Sequence, residues 1–215
     1  MSTDTIATPR AARLRKPRYS LPERRKALLD AARQVFLERG FASATIDAVV
    51  ERAGGSKATV YELFENKEGL FAALVAECAE ELADLIKDHP LDGSIEDDLR
   101  DFGRHYLEIL TRPERIALFR VVIGECGRAP EIGEIFYRTG PEAILKRVAD
   151  MLRLAASRGQ LVISDAEAMA HFLIDALRGH IHLQVMLNPT RRPTAKEIER
   201  HVDFVVGNFL RACRS

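Results

Sequence analysis

The chain has 215 residues, 32 Lys/Arg against 32 Asp/Glu, 47% hydrophobic and 30% charged residues. That balance is ordinary for a globular protein of one or two domains, and the lack of any run of about eighteen uncharged apolar residues argues against a transmembrane helix. Three scattered cysteines (Cys78, Cys126, Cys213) without a CxxC pair, and an N-terminus with basic residues but no apolar stretch behind them, lead us to expect reduced thiols, no secretory signal and a cytoplasmic setting.

Neutrality overall hides an asymmetry. Residues 1–64 hold twelve Lys/Arg and seven Asp/Glu, a net of +5, and the remainder carries −5. Residues 1–21 combine Ser, Thr, Pro and Ala with Arg10, Arg13, Arg15, Lys16 and Arg18 and read as a disordered basic arm. Pro22 suits a first helical turn. Leu28, Ala31, Ala32, Val35 and Phe36 then recur on one face, up to Gly40 as a left-handed cap. Thr45 caps a short second helix with Asp47 in its first turn, and Gly54-Gly55 breaks it. Ser56 caps a third helix to about Leu63, and Asn66 caps a fourth.

The fourth helix carries the strongest period, with Leu70, Phe71, Leu74, Val75, Cys78, Leu82, Leu85 and Ile86 at helical spacing. At 1.5 Å per residue it would be roughly 34 Å long, enough to join two parts of a molecule. Pro90 and Gly93 end it. Ser94, Pro113, Pro130, Pro141 and Asp165 open further helices, Gly159 stops one, and Thr194 with Glu197 forms a capping box for the last. No strand pattern is present, so the fold is expected to be all-α, with nine or ten helices.

The third helix is too weakly apolar to be a core element and suits insertion into a groove. A helix-turn-helix reader needs an exposed helix that fits a major groove about 12 Å wide, helix N-termini aimed at phosphates, and rim side chains that fix register. Thr45, Ser56 and Asn66 start helices. Lys57 and Lys67 follow two of those starts, where a cation opposes the helix dipole unless a phosphate is near. Ala58 permits close approach to bases, Thr59 reaches a base edge or phosphate, and Tyr61 offers a hydroxyl. Ala48, Val49, Val60 and Phe64 would hold the pair of helices together.

On these residues the segment from Arg24 to about Leu82 resembles the DNA-binding domain of the TetR family, whose pattern runs roughly GFxxTTxxxIAxxAGVSKGTLYxYFxxKExL. Gly40, Phe41, Thr45, Ala53, Gly54, Ser56, Lys57, Thr59, Tyr61, Phe64, Lys67, Glu68 and Leu70 match it. Gly55 stands where a Val is usual, Ala58 replaces a common Gly, and Glu62 puts an acid late in the reading helix. RVVIGECGRAPEIGEIFYRTGPEAI is similar to the effector half of AefR-like members. The resemblance implies that Thr45, Lys57, Thr59, Tyr61 and Lys67 face double-stranded DNA. It also implies that the later helices enclose a mostly apolar effector cavity and that the molecule is a homodimer.

For that cavity, Phe102, Tyr106, Phe119, Ile123, Cys126 and Phe172 are the expected ligand contacts. Cys126, behind an apolar stretch, is expected to be buried. Two apolar stripes are expected at the dimer interface: Met169, Phe172, Ala176, Leu177, Ile181, Gln184 and Val185 on one helix, and Val202, Val205, Val206 and Phe209 on the next. His171, His180 and His182 share a helix, but His180 and His182 do not share a face, and His171 with Asp175 makes only two ligands. No metal site, cofactor or catalytic residue is therefore expected. The organisation expected is an arm (1–21), a helix-turn-helix domain (22–66) and an effector-binding and dimerisation domain (67–215). Together these make a ligand-responsive repressor. The alternatives are a small all-α enzyme whose active site is the cavity, and a regulator that takes no small molecule.

Overall fold

A computed structural model describes residues 20–87 and 94–213, with the side chains of 83 and 85–87 outside the description. Residues 1–19 of the expected arm, the Pro90/Gly93 stop, and the side chains of Leu85 and Ile86 lie outside it, while Leu21, assigned to the arm, is the first residue of α1. The described residues form ten helices and no strand: α1 Leu21–Ser43, α2 Ile46–Ala53, α3 Lys57–Phe64, α4 Lys67–Lys87, α5 Ile95–Leu110, α6 Pro113–Cys126, α7 Pro130–Thr139, α8 Pro141–Ser157, α9 Ala166–Leu187 and α10 Ala195–Cys213.

Most helix starts follow the local chemistry of the chain. Thr45 Oγ1 accepts the amide of Ala48 at 3.2 Å, Ser56 Oγ that of Thr59 at 3.3 Å, Asn66 Oδ1 that of Gly69 at 2.7 Å, and Asp165 Oδ1 that of Ala168 at 3.0 Å. Each satisfies an amide that the first turn leaves without a helical partner. Thr194 and Glu197 bond reciprocally at the start of α10. A start not read from the sequence precedes α1, where the Glu23 carboxylate accepts from both the amide and the hydroxyl of Ser20 at 2.8 Å.

The first helix breaks at Gly40, as expected. The backbone leaves helical geometry there (φ 72°, ψ 174°) and then winds one further turn to Ser43. That turn carries Phe41 into a cluster with Phe36 and Phe71, all three ring pairs 5.5–5.7 Å apart. The extra turn forms because it buries an aromatic ring. Gly40 itself occupies a region of backbone space essentially reserved for glycine.

Two cores run through the molecule. One joins α1–α4 to Leu118 and Val122 of α6 and Ile132 of α7. The other is built by α5 and α8–α10, with Leu99, Leu107, Leu152, Leu173 and Phe209 fully buried. α4 and α6 both contribute to the first core and continue beyond it. They are the two rods that connect the small N-terminal head to the larger helical body.

Candidate nucleic-acid interface and effector cavity

At the head, α2 and α3 are held by their inner faces. Ala48, Val49, Val60 and Phe64 are buried, as their pattern required. Arg52 makes a two-pronged ion pair with Glu38 (2.9 and 2.8 Å), fastening α2 to α1. Arg24 donates to the Gly54 carbonyl at 3.2 Å and steadies the turn.

The outer face of α3 is free of the core. Lys57, Ala58, Tyr61 and Glu62 are exposed, with Tyr61 50% accessible, and Thr59 is half-buried. Thr45 and Ser56 are exposed too. Capping leaves Thr45 its own hydroxyl proton to donate, while the hydroxyls of Ser56 and Thr59 lie 3.0 Å apart and share one proton between them, leaving the other to donate outward. Lys57 Nζ lies 2.7 Å from Asp47, and this contact holds its pKa above the ordinary lysine value. Both side chains are well exposed, so the pair is weak and a phosphate could compete for the ammonium.

Lys67 departs from the expectation that it faces a phosphate. Its Nζ donates to three carbonyls at the end of α1, those of Phe41 (2.9 Å), Ala42 (3.3 Å) and Ala44 (3.2 Å), and sits 4.4 Å from the Phe41 ring centre. All three ammonium protons are therefore employed within the protein. Here a cation at the start of α4 neutralises the carbonyl end of α1, which overrides its unfavourable place on its own helix dipole.

Between α3 and α4 the chain makes an unusually sharp reversal. The Asn66 amide donates to the Phe64 carbonyl at 2.7 Å, closing a three-residue turn around Glu65 (φ 66°, ψ −49°). Gly69 then passes directly over that carbonyl, and a Cβ there would lie 2.0 Å from Phe64 O. Only glycine lets α4 start so close to the end of α3.

The body holds a partly open cavity of about 210 Å³ between α4, α5, α6, α7, α8 and α9. Its walls are mainly apolar, with Val75, Leu82, Ile109, Leu118, Phe119 and Ile144 among them. Tyr106 and Phe119 line it as expected. The other four expected contacts do not. Phe102 is buried behind the wall, its ring 5.6 Å from that of Tyr106. Ile123 is 55% exposed. Cys126 is half-buried, not buried, and its thiol donates to the Ile123 carbonyl at 3.3 Å. Phe172 is 54% exposed, on the outer side of α9 against Phe209.

What the sequence reading missed is a polar strip on α9. His171, Asp175 and Arg178 line the cavity at steps of four and three residues on one helical face, and His182 joins them from beyond the break in α9 at Gly179 (φ 40°, ψ −145°). That spacing was visible, but the metal question drew attention only to which histidines pair. Arg178 Nε donates to the Tyr106 hydroxyl oxygen at 3.1 Å. The His182 ring packs edge-on to Phe119 with 5.3 Å between centres, and its buried Nε2 has no partner among the described residues. Burial, aided by the charge of Arg178, pushes the His182 pKa down to about 4, so the ring is neutral near pH 7. On α6, Arg115 pairs with Glu81 of α4 beside the cavity.

The dimerisation stripes also need correction. Leu177, Ile181 and Val185 of α9, and Val202, Val205, Val206 and Phe209 of α10, are all buried in the protein's own core. The apolar side chains left outside are Phe172, Leu183 and Leu187 of α9 and Phe204 of α10, each more than half exposed. The error has a simple cause: each helix has two apolar faces, and periodicity does not say which one the chain uses itself.

An exposed short helix behind a glycine turn, capped helix starts around it, and an apolar cavity reached by two of the supporting helices form a specific combination. Residues 28–74 match the family of bacterial regulatory proteins described as the tetR family, and residues 97–214 match the C-terminal domain of AefR-like transcriptional repressors. The chain belongs to the TetR family. A TetR-family transcriptional regulator from Mesorhizobium loti superposes with a TM-score of 0.77 at 26% identity, over 92% of this chain and 99% of that one. The flavonoid-responsive regulator FrrA superposes with a TM-score of 0.73 at 33% identity, over 90% of this chain and all of its own (100%). Among sequence relatives, the HTH-type transcriptional repressor BepR of Brucella suis is 26% identical, with 79% of this chain and 84% of BepR aligned. This TetR-family chain is accordingly a transcriptional regulator of the helix-turn-helix type, as its relatives are.

Proposed function

We propose that this TetR-family protein is a homodimeric repressor that leaves a pseudo-palindromic operator when a small apolar or amphipathic effector fills its cavity. The observation that carries the reading is that α4 and α6 each touch both the cavity and the head. α4 gives Val75, Cys78 and Leu82 to the cavity, while its first residue, Lys67, clasps the end of α1. α6 gives Arg115 and Phe119 to the cavity, while Glu125 near its end lies against Gly40, its carboxylate 2.5 Å from where a Cβ would be. A molecule that spreads the cavity walls therefore tilts the mounts of the reading helix.

In this reading Thr45, Ser56, Lys57, Ala58, Thr59 and Tyr61 meet DNA, and residues 22–66 form the DNA-binding unit. The exposed Phe172, Leu183, Leu187 and Phe204 are covered by a second copy, since so much apolar side chain is poorly tolerated in water. Two heads then sit in successive major grooves, roughly 34–36 Å apart or somewhat wider. BepR, named a repressor, and FrrA, named a flavonoid-responsive regulator, support both halves of the proposal. A coupling of about 1–3 kcal/mol between cavity and operator gives a 5- to 150-fold change in affinity, enough to switch a promoter.

The test is a compound-library thermal shift followed by operator binding on duplex selected from random sequence. A ligand that raises the melting temperature and weakens operator binding is expected. Stabilising ligands with no effect on DNA binding would defeat the coupling, and turnover of a bound compound would favour an enzyme.

A further inference from the structure

The chemistry of the cavity's polar end narrows the class of effector, an inference that rests on the reading of the cavity as an effector site. Three polar side chains meet there: Arg178, Tyr106 and His182. Arg178 spends only its Nε on the Tyr106 oxygen, and among the described residues its guanidinium makes no ion pair. Because Tyr106 accepts that bond, its own proton is left to donate into the cavity. Tyr106 is 2% exposed, so burial makes an unmet O–H costly. His182 is 9% exposed, and its Nε2 has no partner among the described residues.

The nearest acidic group on the strip, Asp175, is exposed at the cavity margin and solvated, which weakens its field on Arg178. The second cavity guanidinium, Arg115, shares the Glu81 carboxylate with Arg112 and has a buried Nε without a partner among the described residues, so the charge balance on that side stays positive. What results is a positively biased pocket end, with the fork of Arg178 beside the Tyr106 hydroxyl and the His182 ring, backed by aliphatic and aromatic walls. A planar oxyanion on an apolar body is the complement of that arrangement.

We infer that the effector is a compact carboxylic acid, its carboxylate held by Arg178, Tyr106 and His182 and its apolar body packed against Phe119, Ile109 and Ile144. Size limits the body. A cavity of about 150 Å³ accommodates a benzene ring, so about 210 Å³ takes one ring with a short chain, or a short alkyl chain.

The experiment uses the full-length protein and two matched series: 3-phenylpropanoate with its alcohol, methyl ester and amine, and hexanoate with hexanol and hexylamine. Calorimetric titration and release of operator DNA are both read. The acids are expected to bind about tenfold tighter than their alcohols or more, and the amines weakest of all. Arg178→Gln should bring acid and alcohol within about twofold of each other, and Tyr106→Phe should cost the acid several-fold while sparing the alcohol. If alcohols or esters match the acids in the wild type, the inference is overturned even should Arg178→Gln fail to fold. It is also overturned if the acid preference survives Arg178→Gln. Neutral compounds that bind and release DNA would sink the inference alone and leave the repressor reading standing. Silence from every series also counts against it, and the unbiased library screen then decides separately whether the cavity takes any effector.

Discussion

The head and the body of this molecule are organised on opposite principles. In the head, every turn is pinned by a particular short-range contact: Ser56 on Thr59, Arg24 on Gly54, Lys67 on three carbonyls, Gly69 beneath Phe64. In the body, helices pack through broad apolar faces, and polar groups such as His182 Nε2 and Arg115 Nε are left buried without partners among the described residues. A head that must present a fixed surface cannot tolerate looseness. On the proposed function, a body that accepts a guest needs room and unmet polar groups.

Glycine substitutions probe that contrast most sharply. Gly69→Ala drives a methyl into the Phe64 carbonyl, so it should cost about 3 kcal/mol, the upper end for forced overpacking, with DNA binding lost in parallel. The helical Gly124 of α6 has open space where its Cβ would be, and Gly124→Ala should instead stabilise by roughly 1 kcal/mol. Chemical denaturation of both variants gives the comparison. Equal effects would erase the distinction.

A pH titration sharpens it from the body's side. The folded-state pKa of His182 is about 4, below its ordinary 6.5. Between those values the unfolded chain binds a proton that the native ring refuses, so stability falls as pH drops from 6.5 toward 4 and is fully present above 6.5. The loss reaches at most about 3 kcal/mol. His182→Leu should flatten that part of the stability–pH curve relative to wild type. A curve of unchanged slope would mean that the ring is hydrated in solution.

Lys67 distinguishes clamp from DNA contact. Lys67→Met should lower stability by about 2 kcal/mol, since bonds from a charged donor are lost and carbonyls are left exposed. The salt dependence of operator binding should stay unchanged, because no phosphate contact is removed. A salt slope reduced by about one ion would return Lys67 to the phosphate backbone.

Legibility in the sequence followed the same divide. The head could be read nearly residue by residue, because caps, glycine turns and a four-residue core are local signals. What local signals did not show there is the hold of Lys67 on three carbonyls 23–26 residues away along the chain. In the body the helices were legible from Pro, Gly and cap positions, but their orientation was not. Phe172 and Phe209 both sit on apolar stripes, and nothing in periodicity says that Phe209 is fully buried and Phe172 half-exposed. The cavity wall was misjudged for the same reason, with hydrophobic Phe102 and Ile123 chosen over the α9 strip that carries Arg178 and His182.

The account depends most on the outer face of α3, and salt-dependent anisotropy titration of operator DNA tests it directly. Wild type, Lys57→Ala and Tyr61→Ala are compared on one selected duplex and on random duplex. Loss of Lys57 should weaken binding to both and reduce the salt slope by about one ion per head, while loss of Tyr61 should weaken selected-duplex binding about tenfold or more. Affinities and slopes indistinguishable from wild type in both variants would show that DNA is held by some other surface.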